Sequence, residues 1–213
     1  MVAEHEEHAD ALRALKQAFR AQMESERQQQ ENREELSRQI CEMVIRLPEY
    51  LAAQTLLLYV SRSSEVQTTH LLTAAWNQRK RVVVPSCQNG QLELFWIDTL
   101  EELAPRTLGI LEPRSEVRAS VERRIDVGEL DLAIVPGLAF DRRGGRLGLG
   151  KGFYDRLLAR CPTGVSLVGL AFECQVFDEV PMLSHDVFMD KVITEKAVYV
   201  RMEGRDREKA ARV

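Results

Sequence analysis

The chain has 213 residues, of which 45% are hydrophobic, enough for the full core of one α/β domain. Its formal net charge of −4 and pI near 5.7 argue against a nucleic-acid or membrane-surface binder, which would need a broad basic face. No apolar run reaches transmembrane length, and the stretch from Met1 to His8 lacks the features of a signal peptide. We therefore expect a cytoplasmic protein that binds neither nucleic acid nor membrane.

Two amphipathic helices are predicted over residues 9–47. The first runs from about residue 9 to the mid-twenties, because apolar residues recur there at spacings of three and four. This first stripe consists of Leu12, Leu15, Phe19 and Met23. The second stripe ends at Pro48 and consists of Leu36, Ile40, Val44 and Leu47.

Strands and helices then alternate in the βαβ rhythm of a parallel sheet. The pattern predicts strands over 55–61, 81–85, 92–97, 130–135, 165–172 and 198–201, and helices over 68–78 and 153–160. Asn89-Gly90 predicts a hairpin turn and hence an antiparallel neighbour in a mixed sheet. We interpret residues 1–213 as one domain, with an α/β core over 54–202 and a charged tail over 203–213.

A glycine-rich cationic loop lies between a predicted strand and a predicted helix. It contains five of the 12 glycines, namely Gly144, Gly145, Gly148, Gly150 and Gly152. It also contains or adjoins five cations, namely Arg142, Arg143, Arg146, Lys151 and Arg156. Such a loop can turn its backbone N–H groups toward an anion, and a following helix N-terminus adds partial positive charge. The pattern indicates a phosphate cradle, with a flexible surface turn as the alternative.

The loop departs from two common nucleotide motifs. A Walker loop needs a Ser or Thr where this chain has Gly152, and that hydroxyl would bind Mg²⁺. The dinucleotide fingerprint also fails, since Gly148, Gly150 and Gly152 alternate. The four cysteines are too scattered for a zinc ribbon or a C-x-x-C pair, so we interpret them as reduced and mostly as packing residues.

Six short segments together closely resemble the 5-formyltetrahydrofolate cyclo-ligase family over roughly residues 12–200. They are Lys16-Gln-Ala-Phe-Arg20, residues 61–68 around Glu65, Gly109-Ile-Leu-Glu112-Pro113, residues 135–141, the glycine loop with Tyr154-Asp155, and Asp186 with Thr194-Glu195. The resemblance implies a three-layer α/β/α sandwich with a mixed, mainly parallel sheet. It implies an ATP- and Mg²⁺-dependent, C–N bond-forming ligase that converts 5-formyltetrahydrofolate to 5,10-methenyltetrahydrofolate, with ADP and phosphate as products. We expect a monomer or weak dimer.

The resemblance also implies roles for individual residues. The catalytic residues would be Lys151, Arg146 and Tyr154. ATP would contact Lys16, Arg20, Arg146, Gly148, Leu149, Gly150, Lys151, Gly152, Phe153 and Tyr154. The folate would contact Glu65, Phe153 and Tyr154, and Mg²⁺ would bind Asp155 and Asp186. Two positions depart from the family pattern. Leu149 stands where relatives often have Tyr or Arg, and Phe153 stands where Tyr is usual.

Each of these residues also has a structural explanation that involves no ligand. Lys16 and Arg20 are four residues apart on a helix, which is commonly a solvated face, and Arg13 takes their place if the register shifts by a turn. Glu65 is a candidate helix N-terminal acid before Thr68.

The two acids have alternatives of the same kind. Asp155 can pair with Arg156 or act as a first-turn acid, Asp186 can cap a loop, and Asp190 competes with Asp186 for the metal. At the level of function, the alternative is a non-catalytic folate- or nucleotide-binding module on the same fold.

Overall fold

The computed structural model describes residues 2–62, 64–106 and 110–202, with side chains from Leu15 onward. Its α-helices are α1 Val2–Gln28, α2 Arg33–Ile45, α3 Pro48–Ala52, α4 Thr69–Asn77, α5 Ser115–Ala119 and α6 Phe153–Leu158. Its strands are β1 Thr55–Leu57, β2 Arg81–Gln88, β3 Gln91–Ile97, β4 Leu103–Pro105, β5 Leu111–Pro113, β6 Arg124–Ile125, β7 Leu132–Pro136, β8 Ala139–Asp141, β9 Arg146–Leu147, β10 Ser166–Leu170, β11 Val176–Phe177, β12 Lys191–Ile193 and β13 Val198–Val200.

The main sheet has eight strands in the order β13-β12-β10-β7-β1-β2-β3-β6. The five strands from β12 to β2 are parallel, whereas β13, β3 and β6 pair antiparallel at the two ends. Asn89 and Gly90 form the β2–β3 turn with φ of 48° and 77°, as a two-residue hairpin turn of this hand requires. The predicted mixed, mainly parallel sheet is confirmed.

Helices cover both faces of this sheet. Strand β7 shows the alternation, since Leu132 and Ile134 face one cluster of buried residues and Ala133 and Val135 face the other. The first cluster includes buried side chains of α2, α3 and α4, and the second includes those of α6. The three-layer α/β/α sandwich is therefore confirmed.

The chain leaves two neighbouring strands toward opposite faces. Strands β1 and β7 are adjacent and parallel, but β1 leads into α4 on one face whereas β7 leads, through the glycine loop, into α6 on the other. The connections therefore diverge beyond the carboxyl ends of these strands, which is the topology that forms a crevice in open α/β sheets. Open α/β sheets bind ligands at such a switch point.

Helix α1 packs against a small three-stranded sheet, β11-β8-β9, whose strand β8 follows β7 in the chain. Met23 is 1% exposed and packs with Leu138, Leu147 and Val180. The predicted apolar stripe is wrong at Leu15, which is 53% exposed. The buried face of α1 contains cations instead, because it faces the polar loops at the end of the sheet.

Several predicted boundaries shift. Helix α1 begins at Val2 and is longer than predicted, and Pro48, predicted to end a helix, instead begins α3 at a position where proline needs no N–H partner. In the described residues no helix is both long and apolar enough to cross a membrane. The predicted tail 203–213 and Gly109 lie outside the described residues, as do the side chains of Leu12 and Arg13.

Candidate active site

The five glycines of the predicted cradle divide into two groups. Gly144 and Gly145 belong to the β8–β9 turn, where the Asp141 carboxylate accepts the Gly145 N–H at 2.8 Å and the Gly144 carbonyl accepts the Met189 N–H at 2.7 Å. A Cβ on Gly144 would lie 2.1 Å from the Met189 carbonyl oxygen. The prediction of one continuous cradle is therefore wrong for these two glycines, which build a turn.

The other three glycines form the loop between β9 and α6. Gly150 and Gly152 have φ of 91° and 62°, a region that glycine adopts without strain. A Cβ on Gly150 would lie 3.0 Å from the guanidinium carbon of Arg20. Arg20 also donates its Nε–H to the Gly148 carbonyl at 2.9 Å. Because α6 has six residues, we attribute the positive charge here mainly to side chains.

Helix α1 places Lys16 against the predicted metal acid Asp186. The two side chains form an ion pair although they are 170 residues apart. Lys16 is 5% exposed, so a solvated face is the wrong interpretation for this lysine. The Asp186 carboxylate also accepts the Leu183 N–H at 2.6 Å, and the predicted loop-capping role is present together with the ion pair.

Arg146 pairs with the other predicted metal acid. Its Nη2 lies 2.7 Å from Asp155 Oδ1, its Nη1 donates to the Pro136 carbonyl at 3.3 Å, and its side chain is 2% exposed. The guanidinium carbon lies 5.7 Å from the centre of the Tyr154 ring. Arg156 donates to backbone carbonyls instead, so the alternative Asp155–Arg156 pair does not form.

Glu65 and Tyr154 are close enough for the charge of the carboxylate to act on the phenol. Glu65 is 9% exposed, and its Oε2 accepts the Arg62 N–H at 2.8 Å. Helix α4 begins only at Thr69, so Glu65 is not a helix N-terminal acid. Burial first, and then the charge of Glu65, raise the pKa of the Tyr154 phenol, against the opposing charge of Arg146. The phenol is thus a neutral hydrogen-bond donor at neutral pH.

The outer part of the loop faces solvent. Leu149 is 51% exposed, and Lys151 is exposed, with its Nζ 6.0 Å from the centre of the Phe153 ring. Arg156 lies 5.3 Å from the same ring. Phe153 therefore borders cations, whereas Tyr154 packs against the core.

Arg27 is a buried site residue that the sequence interpretation missed. It is 2% exposed, and its Nη1 lies 3.9 Å from Glu65 Oε1 and 3.3 Å from the Gly137 carbonyl oxygen. Burial lowers the pKa of Arg27, and the charge of Glu65 opposes this effect. Its position in the sequence could have identified it, because the helical spacing places Lys16, Arg20 and Arg27 on one side of α1.

The acids can hold a metal only together with other oxygen ligands. The described residues contain no group of three or more His, Cys, Asp or Glu suited to a metal. Mg²⁺ beside nucleotides is commonly held by one or two carboxylates together with phosphate oxygens and water, so the residue types of Asp155 and Asp186 are compatible with the ion. The carboxylate of the competing acid, Asp190, accepts the Leu167 N–H at 2.8 Å and so anchors β10.

A doubly wound sheet with a cation-lined glycine loop at its switch point defines a class of α/β proteins that bind phosphorylated ligands. Within this class, residues 9–195 match the model of the 5-formyltetrahydrofolate cyclo-ligase family. The chain belongs to that family, as its sequence motifs predicted.

Individual relatives agree with this assignment. The 5-formyltetrahydrofolate cyclo-ligase of Mus musculus is 33% identical over 195 residues, which cover 86% of this chain and 92% of the relative. The Escherichia coli K12 enzyme of the same name is 31% identical over 173 residues, covering 79% and 93%. The solution structure of Aquifex aeolicus 5,10-methenyltetrahydrofolate synthetase superposes with a TM-score of 0.76 at 31% identity, covering 90% of this chain and 95% of that one.

Proposed function

We propose that this protein is an ATP-dependent 5-formyltetrahydrofolate cyclo-ligase. It converts 5-formyltetrahydrofolate and ATP to 5,10-methenyltetrahydrofolate, ADP and phosphate. Family membership supports the reaction, since relatives with nearly full-length matches carry this name. The geometric observation that supports it best is the hydrogen bond from Arg20 to Gly148, because it joins the predicted nucleotide helix to the predicted phosphate loop.

The chemistry requires activation of a poor leaving group, the formyl oxygen. That oxygen attacks the γ-phosphorus of ATP and ADP departs. The neighbouring folate nitrogen N10 then attacks the formyl carbon and loses its proton, while the C–O bond breaks and phosphate leaves with the former formyl oxygen. A C–N bond forms and no redox change occurs. Phosphoryl transfer of this kind depends mainly on positioning and on electrostatic stabilisation of the transferred group.

The side chains at the crevice suit these steps. Lys16 and Arg20 would bind the nucleotide phosphates, and Lys151 would place its compact charge on the transferred group. The phenol of Tyr154, whose pKa is raised, would stay protonated and would donate a hydrogen bond to the formyl or phosphate oxygen. Glu65 would accept hydrogen bonds from the reduced pterin.

The ion pairs of the site imply an exchange of partners. Each predicted metal acid is paired with a predicted phosphate-binding cation, Asp186 with Lys16 and Asp155 with Arg146. Mg²⁺, held by the two acids and phosphate oxygens, would neutralise charge on the transferred group. We therefore expect Mg²⁺ and ATP to bind together more favourably than either does alone, because only together do they supply new partners for both members of each pair.

The test of function is the near-ultraviolet absorbance of the methenyl product. Protein is mixed with 5-formyltetrahydrofolate and Mg-ATP, and ATP is omitted in the control. Product that forms only with ATP supports the proposal. Calorimetric binding of both ligands without any product contradicts it and indicates a non-catalytic binding module.

Variants then separate the two ligands. The double change Lys16→Ala and Arg20→Ala should weaken ATP binding, whereas Glu65→Gln should weaken folate binding or ring closure. Arg46→Ala is the matched control, since that side chain is 79% exposed and follows the end of α2. Normal ATP binding by the double variant would remove these cations from the nucleotide site.

A further inference from the structure

Arg27 lies where the two sides of the switch point meet. Its guanidinium contacts the Gly137 carbonyl just after β7 and the Glu65 carboxylate in the loop after β1, and these two strands are neighbours in the sheet. It also belongs to the helix that carries Lys16 and Arg20. One buried cation therefore contacts the predicted folate acid from the predicted nucleotide helix.

The polar contacts of Arg27 are long and incomplete for a buried cation. Charge-assisted hydrogen bonds of this kind normally measure about 2.7–2.9 Å, whereas Arg27 has contacts of 3.3 and 3.9 Å. Within the described part of the chain its buried Nε has no acceptor. The Gly137 carbonyl already accepts a hydrogen bond from Gln175 at 3.1 Å. Replacing a whole buried ion pair by apolar residues is often tolerated, whereas removing Arg27 alone would leave the Glu65 charge unpaired.

Glu65 is the group that needs Arg27. Its Oε2 already accepts the Arg62 N–H, which leaves Oε1 facing Arg27. Across the described residues, Arg27 is the one cationic side chain within 4.0 Å of this carboxylate. The charge of Glu65 also acts on Tyr59 and Tyr154, and burial keeps both phenols neutral by raising their pKa. The charge of Arg62 acts on Arg27 and lowers its pKa further.

We propose that Arg27 is a positioning residue that acts through Glu65. It orients the carboxylate and balances its charge so that the carboxylate can accept hydrogen bonds from the pterin. Because Arg27 is on α1 with Lys16 and Arg20, it also couples folate affinity to occupancy of the nucleotide site. This inference rests on the proposed function and adds a residue outside its predicted site.

The test compares folate affinities in a double-mutant cycle. Calorimetry measures binding of 5-formyltetrahydrofolate without nucleotide to the wild type, Arg27→Met, Glu65→Gln and the double variant. We expect each single change to weaken binding about tenfold or more, as removal of one member of a buried charge pair does. The double variant should match Glu65→Gln within about twofold, since residues that act through one another are non-additive.

Two further variants distinguish charge from packing. Arg27→Lys keeps the charge and should recover part of the lost affinity, whereas Arg46→Met, an exposed control, should bind as the wild type does. Arg27→Lys also keeps the test valid if Arg27→Met does not fold. No recovery by the lysine variant, or a double variant whose loss equals the sum of the single losses, would overturn the positioning role.

Coupling is measured by repeating the titrations with Mg²⁺ and a non-hydrolysable ATP analogue. The analogue should change folate affinity in the wild type. The ratio of the folate affinities with and without the analogue should be closer to one in Arg27→Met. An equal ratio in both proteins contradicts the coupling. If the wild type binds folate but makes no methenyl product, the proposed function fails while the comparison of affinities still decides the role of Arg27. If it binds no folate, both fail.

Discussion

Replacing Lys16 with methionine removes a cation from a buried pair while keeping a long apolar side chain. The two side chains of the Lys16–Asp186 pair are 6% and 9% exposed. Removing one member of a buried pair typically costs about 3–5 kcal/mol, because the other charge stays uncompensated. Asp186 keeps the Leu183 N–H, so we take the lower limit, about 3 kcal/mol. At roughly 2–4 °C per kcal/mol for a domain of this size, Tm should fall by about 6–12 °C.

The thermal unfolding assay includes two internal checks. Combining Lys16→Met with Asp186→Asn removes both charges and should restore most of the lost Tm, since the two effects are coupled. Millimolar Mg²⁺ should raise the Tm of Lys16→Met more than that of the wild type, because Asp186 is then free to bind the ion and a ligand stabilises the state it binds. Lys196→Met, at an exposed position, is the control.

Two outcomes would refute this reasoning. A Tm of Lys16→Met within about 2 °C of the wild type would mean a loss of at most about 1 kcal/mol, and the pair would then be as weak as a solvated one. A double variant that loses the sum of the single losses would show that Lys16 and Asp186 stabilise the fold independently. Either result would also remove the basis for the expected exchange of partners when Mg-ATP binds.

Three further predictions concern the loop, the metal and the core. Lys151→Ala should lower kcat/KM on the order of 100-fold or more through lost transition-state stabilisation and leave Tm unchanged because the side chain is exposed; near-normal turnover would exclude it from the mechanism. Asp155→Asn and Asp186→Asn should raise the Mg²⁺ concentration for half-maximal turnover more than Asp190→Asn does, and an unchanged Mg²⁺ dependence in both would end their assignment. Burial raises the pKa of the Cys41 thiol to about 12, so at about pH 9, where the thiolate of an ordinary cysteine predominates, alkylation of Cys41 in the folded protein should be much slower than that of an ordinary cysteine and should still rise with pH; a labelling rate that levels off near pH 9 would contradict the raised pKa.

Local patterns predicted the layers of the fold well. Strands β1, β2, β7 and β10 belong to the parallel part of the sheet, which is covered on both faces. Because such strands have nearly continuous apolar sequences, they could be predicted from the sequence. Asn89-Gly90 predicted the hairpin because both residues tolerate positive φ. The short strands β8, β9 and β11 were missed, since strands of two or three residues contain too few positions to show a period.

Helix α1 shows why a helical period alone cannot assign the buried face. Its apolar stripe and its cationic stripe are adjacent, and both repeat at the helical period. Periodicity favoured Leu15 for burial, yet Lys16 is buried and Leu15 is exposed. The reason is tertiary, because the surface that α1 covers includes the Asp186 loop and the Glu65 carboxylate, and these offer ion pairs to cations.

Residue type identified the site more readily than it identified the pairings within it. Lysine and arginine suggested phosphate, and aspartate suggested Mg²⁺, because those are the ligands that each charge prefers. Without ligands, the same charges must find other partners, since a buried charge without one is costly. Lys16 pairs with Asp186 across 170 residues of sequence, and Arg146 pairs with Asp155 across 9. A site built to bind a metal and an anion together contains both signs of charge, so its own side chains can neutralise one another until the ligands arrive.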